Sequence, residues 1–222
     1  MAKGKKPETI VIFDLDRTLT RSGTFTPYLL NLAGEEPAKY LYVFAVLFRM
    51  ALYVLGVISR KQLKEYMLHA FMAGMSRSEA DKQSKDFYNK LFRKGFHQDG
   101  LAALEAHRKK GHLVGVATAA MDFYVERIVK ELGLDFMIAT TSVWEKRVLI
   151  PVIKGENCYG AEKARRVREF LAARKYGEVW FYSDHHSDAP AFRLADIKVA
   201  VNPTHKLKKL ARAGGFQIEH WR

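Results

Sequence analysis

Cysteine is nearly absent from this chain: Cys158 is the single one in 222 residues. Without a partner it forms no internal disulfide, which excludes a disulfide-stapled scaffold and fits a reducing cytoplasm. As a nucleophile it is a poor candidate, and a small packing residue is the better expectation. The N-terminus, Met1 to Lys6, carries no apolar segment ahead of the first apolar run, so no secretory leader is expected. Internal repeats and low-complexity linkers are missing, and so is any DNA- or RNA-binding motif, which makes nucleic acid an unattractive partner. Acids are missing from one long stretch, Pro37 to Lys64. Apolar residues are not scarce: 48% hydrophobic content argues against disorder, and the length suits one core domain with a sizeable insertion.

The most informative residues are Phe13-Asp14-Leu15-Asp16-Arg17-Thr18. They close the apolar run Thr9 to Phe13, which reads as a fully buried parallel strand. Carboxylates just past such a strand sit where open α/β sheets bind ligands. Two acids one residue apart point the same way in a strand and repel unless a cation intervenes or one takes a proton. Either outcome suits phosphoryl transfer, although an Asp-x-Asp at a strand end also serves as a cap or turn.

Three further signals follow in order. Val114 to Thr118 is a second apolar strand ending in a hydroxyl, and Lys163 lies at the start of a helix near Tyr159 to Ala164. Val179 to Ser183 leads into Asp184, with Asp188 four residues on. With these motifs the chain resembles the haloacid dehalogenase (HAD) superfamily of phosphatases over nearly its whole length. The nearest likeness is the phosphoserine phosphatase-like branch, subfamily IB, whose helical cap is inserted between the first two motifs. The C-terminal stretch from Tyr182 to Pro203 is similar to that branch's ending. Arg17 departs from the Gly found in many members and puts a cation near the entrance; Ala119-Ala120 offers no extra hydroxyl for phosphate.

The resemblance implies a mechanism. Asp14 attacks the phosphate monoester to form an aspartyl-phosphate, and Asp16 protonates the leaving alcohol and then deprotonates water. Thr118 and Lys163 bind the phosphoryl oxygens. Mg²⁺ is held by Asp14, the backbone carbonyl of Asp16, and Asp184, with Asp188 in support. His185 and His186 are adjacent on a loop and unsuited to joint ligation, so one of them lining the phosphate pocket is the better expectation.

Periodicity and breakers predict an α/β fold, a doubly wound parallel sheet with an inserted helical cap. The core comprises 1–20 and 99–222, and the cap 21–98. Strands are expected at 9–14, 112–118, 178–183 and 196–201, with a strand and hairpin in 135–153 around Glu145-Lys146-Arg147. Helices are expected at 99–110, 121–132 and 160–174. Pro27, Pro37, Gly56 and Gly74 punctuate the cap.

Within it, Tyr40 to Ile58 is apolar on nearly every helical face. A central Arg49 costs about 2.5–3.5 kcal/mol on insertion, which argues against a membrane span. A buried cap helix and a helix lying at the membrane interface both remain. The net charge of +13, clustered at Lys3–Lys6, Lys163–Arg168 and Lys206–Arg212, suits either solvated helix faces or an anionic surface. Basic charge with an acid-free cap resembles the phosphatidylglycerophosphatase C type. That implies a membrane lipid phosphate as substrate and a peripheral site at the inner face of the membrane. The alternative is a soluble metabolite such as phosphoserine or histidinol phosphate.

Overall fold

The structure, a computed structural model, describes residues 8–34 and 40–222. The basic N-terminal cluster and Pro37 therefore lie outside the described residues.

The apolar run forms β1, Glu8–Phe13. Its alternation sends Ile10 and Ile12 into one hydrophobic cluster and Val11 and Phe13 into the other, so both faces of the strand are covered. After it come helices α1 (Phe25–Ala33), α2 (Tyr40–Val54), α3 (Arg60–Met72), α4 (Arg77–Lys94) and α5 (Gln98–Lys109). The chain then alternates: β2 (Leu113–Met121), α6 (Asp122–Leu132), β3 (Phe136–Thr140), β4 (Ser142–Glu145), β5 (Val148–Ile153), α7 (Ala161–Ala172) and β6 (Tyr176–Ser183). It closes with α8 (Ala189–Phe192), β7 (Ile197–Val201), α9 (His205–Ala213) and β8 (Gln217–Glu219).

The main sheet has six strands in the order β3-β2-β1-β6-β7-β8, all paired in parallel. The chain winds from β1 to β3 in one direction and from β6 to β8 in the other. The reversal falls at β1, and the crevice at its carboxyl end is where such sheets bind ligands. Close strand packing has a local cause at Gly115, where an added Cβ would meet the Phe136 carbonyl oxygen at 2.4 Å.

The inserted helices leave and rejoin the sheet side by side. Arg21 N donates to Gly95 O at 2.7 Å and His97 N to Leu19 O at 2.9 Å. Helix α3 docks on the core through a polar stripe at helical spacing: Lys61 donates to Gly155 O and Glu65 accepts from Ile153 N, with Lys64 between them. The expected hairpin is β4–β5, its turn formed by Lys146 and Arg147 at φ 46 and 67. It also reaches the insertion, since Leu149 N donates to Met75 O at 2.9 Å.

Gly56 and Gly74 sit at the ends of α2 and α3 with φ 73 and 76, as expected of cap punctuation. Pro27 falls in the first turn of α1, where its missing N–H has no helical partner to lose. Helix α2 is neither wholly buried nor a span. Val46 is buried, while Phe44, Leu47, Phe48 and Val54, and Leu55 just beyond the helix end, are exposed. Among the described residues no helix is long and apolar enough to cross a membrane.

Candidate active site

The turn after β1 has to reverse direction within a few residues. Asp14 N still donates to Tyr182 O of β6 at 2.8 Å, so its side chain is held at the strand end. The chain then coils through a single tight turn, Leu15–Leu19, in which Arg17 takes the left-handed region at φ 63. That geometry explains why a glycine suits this position and places the exposed Arg17 on the cavity rim. Thr18 is buried beneath, its hydroxyl accepting from Asp184 N at 3.1 Å and lying 3.4 Å from Asp14 Oδ2.

The adjacent strand ends supply the rest. Thr118 comes from β2, Asp184 and Asp188 follow β6, and Lys163 stands in the first turn of α7. Lys163 Nζ donates to Asp14 Oδ1 at 2.8 Å and to Asp188 Oδ2 at 2.7 Å. Ser183 Oγ also donates to Asp188 Oδ2, at 2.7 Å. Asp16 sits apart from this cluster: its Oδ1 accepts from Thr24 N at 2.9 Å and from Thr24 Oγ1 at 2.7 Å. Together with Arg60 and Tyr159, all six sequence-nominated residues line one cavity of about 320 Å³. His185 lines it too; His186 does not.

Charge is unbalanced here. Asp14, Asp184 and Asp188 are all buried at the cavity, where one ammonium, Lys163, pairs with Asp14 and Asp188. Burial, reinforced by Asp188 and Asp184, pushes the Asp14 carboxyl up despite its contact with Lys163. Burial and Asp188 raise Asp184 to about 6. Lys163, facing two carboxylates, is held above the usual lysine range although burial opposes it. Burial also raises Asp16, a direction that suits a group giving up a proton.

Oδ1 of Asp188 is buried without a hydrogen-bond partner. An all-oxygen donor set with excess negative charge fits a hard divalent cation. No group of three or more His, Cys, Asp or Glu side chains is arranged to hold an ion by itself among the described residues.

Several partners were not legible as site residues. Thr24 orients Asp16 and in turn lies 3.0 Å from Tyr124 Oη, while the Arg60 guanidinium stacks 3.9 Å from the Tyr159 ring centroid. They come from separate segments that only the fold brings together, and no local spacing announces them. Cys158 is fully buried in the second hydrophobic cluster, and burial raises its thiol to about 11, consistent with packing. The Arg165 and Arg166 cations are engaged with Glu162 on α7, so that basic run is largely an ion-paired helix face.

Comparison with known proteins bears on the family and the fold. The family profile for haloacid dehalogenase-like hydrolases matches residues 11–193. A phosphoserine phosphatase of Mycobacterium tuberculosis is 26% identical over 216 residues, covering 95% of this chain and 70% of its own length. A histidinol-phosphatase of Neisseria meningitidis is 39% identical over 61 residues, 25% of this chain and 28% of its own. Among solved structures, a Bordetella pertussis Tohama I protein of unknown function superposes with a TM-score of 0.84 at 24% identity, over 96% of this chain and 99% of that one. A phospho-aspartyl intermediate analogue of phosphoserine phosphatase gives 0.66 at 19% identity, over 97% and 94%.

Proposed function

This chain belongs to the haloacid dehalogenase-like hydrolase family, and from that premise we propose that it hydrolyses a small phosphomonoester through an aspartyl-phosphate on Asp14. The observation that carries the reading is the meeting of Asp14 and Asp188 on Lys163, with Asp184 lining the same cavity, at the sheet's switch point.

An Asp14 carboxylate oxygen attacks phosphorus in line, and the bond to the ester oxygen breaks. Asp16, held by Thr24, gives its proton to the departing oxygen. It then takes a proton from water as that water's oxygen attacks phosphorus, which releases phosphate and restores the Asp14 carboxylate. Thr118 and Lys163 donate to the phosphoryl oxygens and fix their position. Asp14, the Asp16 carbonyl and Asp184, with Asp188 in support, would hold Mg²⁺, which would supply positive charge to the phosphoryl group and against the carboxylate repulsion. Residues 21–98 serve as a cap that excludes bulk water and selects the alcohol.

The cavity favours a compact polar substrate. Among the described residues its lining includes no Val, Leu, Ile, Met or Phe side chain, which suits a compact polar alcohol better than an acyl chain. The relatives named for phosphoserine and histidinol phosphate point the same way. The expectation of a lipid phosphate thus gives way to the soluble alternative.

One observation keeps a lipid surface in play as a partner. Phe44, Leu47, Phe48, Ala51, Val54 and Leu55 form an exposed apolar stripe at helical spacing in an acid-free segment. Such a face suits peripheral attachment to an anionic membrane while the active site handles small substrates.

Phosphate release from an aryl phosphate, phosphoserine, histidinol phosphate and a lipid phosphate tests the reading, each with Mg²⁺ and with excess chelator. Turnover of the small esters that vanishes with chelator and falls by several orders of magnitude in Asp14→Asn is expected. Full activity in chelator, or in a clean Asp14→Asn preparation, would overturn the mechanism.

A further inference from the structure

Lys64 is a buried lysine with no carboxylate at ion-pair distance among the described residues, Asp16 being the acid whose charge reaches it. It projects from α3 into the core, where Nζ donates to the Ala119 carbonyl oxygen and, at 2.9 Å, to Asn157 Oδ1. The ring of Phe25 lies 5.4 Å away. Buried ammonium groups without a counter-ion are rare because their desolvation is poorly offset. Here burial lowers Lys64 to about 8, with Asp16 opposing and Arg60 adding to the effect. A group kept at such a cost on a polar docking surface invites a role beyond adhesion.

Its target is one peptide away from the phosphate-binding hydroxyl. The Ala119–Ala120 peptide is pinned at both ends: its carbonyl lies against Lys64 Nζ and, at 2.8 Å, Thr140 Oγ1, while its N–H donates to Thr118 Oγ1 at 3.0 Å. Accepting that bond occupies a lone pair of the Thr118 oxygen and leaves the hydroxyl hydrogen to be given elsewhere. Thr118 lines the same cavity as Asp14, where a phosphoryl oxygen can accept that hydrogen. Asn157, which shares Lys64 with Ala119, also lies 2.9 Å from Thr140 Oγ1 and closes the network.

We propose that Lys64 is a positioning residue for phosphoryl transfer: it fixes the Ala119–Ala120 peptide and thereby aims the Thr118 hydroxyl at the phosphoryl group, so that turnover depends on α3 being docked. This rests on the proposed role of Thr118. A lysine serving only as glue between α3 and the core would affect stability without acting through Thr118. A lysine acting through Thr118 loses its effect once that hydroxyl is gone.

A double-mutant cycle decides between them, using 4-nitrophenyl phosphate with Mg²⁺. Lys64→Met is expected to lower kcat about 10–100-fold with KM little changed, the pattern of an interaction made in the transition state. In a Thr118→Val background the same change is expected to cost less than about 3-fold. Lys64→Arg restores much of kcat in the native-threonine protein. Should Lys64→Met fail to fold, Asn157→Ala removes one of the two anchors of the ammonium and enters the same cycle. Losses that multiply in full, or an unchanged kcat in a folded Lys64→Met protein, would overturn the inference while leaving the phosphatase reading intact. A wild-type protein that releases no phosphate overturns that reading, and this one with it.

Discussion

Asp14 and Lys163 stand 149 positions apart in the chain and meet at 2.8 Å in the buried floor of the cavity. The contact is one half of a shared arrangement, because the same ammonium also serves Asp188. Two acids on one lysine, with Asp184 buried in the same cavity, leave the site short of positive charge, and this shortfall makes both the nucleophile and the need for a cation intelligible.

Lys163→Met should therefore do more than abolish turnover. It leaves buried carboxylates without any counter-ion, a loss expected to cost about 3–5 kcal/mol of stability. Adding Asp14→Asn to that variant removes one of the stranded charges and should recover a measurable part of the loss. Urea unfolding of both proteins in metal-free buffer checks this; a double variant no more stable than Lys163→Met contradicts the charge account.

His107 gives a pH dependence away from the site. Its Nε2 lies 2.8 Å from Tyr182 Oη and its Nδ1 lies 2.9 Å from His112 Nδ1, so the pair is built for neutral rings. Burial and the His112 and Lys110 charges lower His107 to about 4, against an ordinary value of 6.5; Glu178 opposes weakly. The unfolded chain then binds the proton more readily, so this contribution is complete above about pH 6.5 and is lost as pH falls toward 4. Melting temperatures of wild type and His107→Gln should converge as pH drops from 7.5 to 4.5; parallel curves would refute the assignment.

Arg17 holds a left-handed backbone that an L side chain adopts at a cost of about 1–2 kcal/mol. Glycine removes that cost and alanine does not. Arg17→Gly is thus expected to be more stable than Arg17→Ala by about 1 kcal/mol in denaturant titration. Equal stabilities would mean that the turn is not strained at this residue.

The parts of the fold that were legible share a cause. Buried parallel strands are continuous apolar runs, so β1, β2, β6 and β7 announce themselves, and the acids and hydroxyl at their ends mark the site. The hairpin was visible through its turn residues. What escaped was the C-terminal pair, α9 and β8. Helix α9 buries little beyond Leu207 and Ala211 beneath a basic face, and β8 is a three-residue edge strand, Gln217–Glu219, with no apolar run. The Lys64–Ala119–Thr118 relay was equally invisible, because a lysine on a helix reads as solvated until tertiary structure buries it. Helix α2 was half legible: uniform hydrophobicity shows that some face packs, and only the fold shows which face does not.

That bare face carries the last prediction. Leu47 and Phe48 are 55% and 65% exposed, whereas Val46 between the same turns is 6% exposed. Leu47→Ser with Phe48→Ser should change stability by no more than about 0.5 kcal/mol and leave hydrolysis of a small aryl phosphate intact, because neither side chain packs or touches the cavity. If the stripe meets lipid, wild type binds vesicles containing phosphatidylglycerol better than vesicles of phosphatidylcholine alone, and the double variant binds both weakly. A cation at an anionic surface contributes on the order of 1 kcal/mol, and Arg49 stands on the same helix as the stripe, so binding should also weaken as salt rises. A wild type that ignores vesicles at low salt but sediments as a dimer, with the variant a monomer, would assign the stripe to a second copy of the chain and remove the membrane from its function.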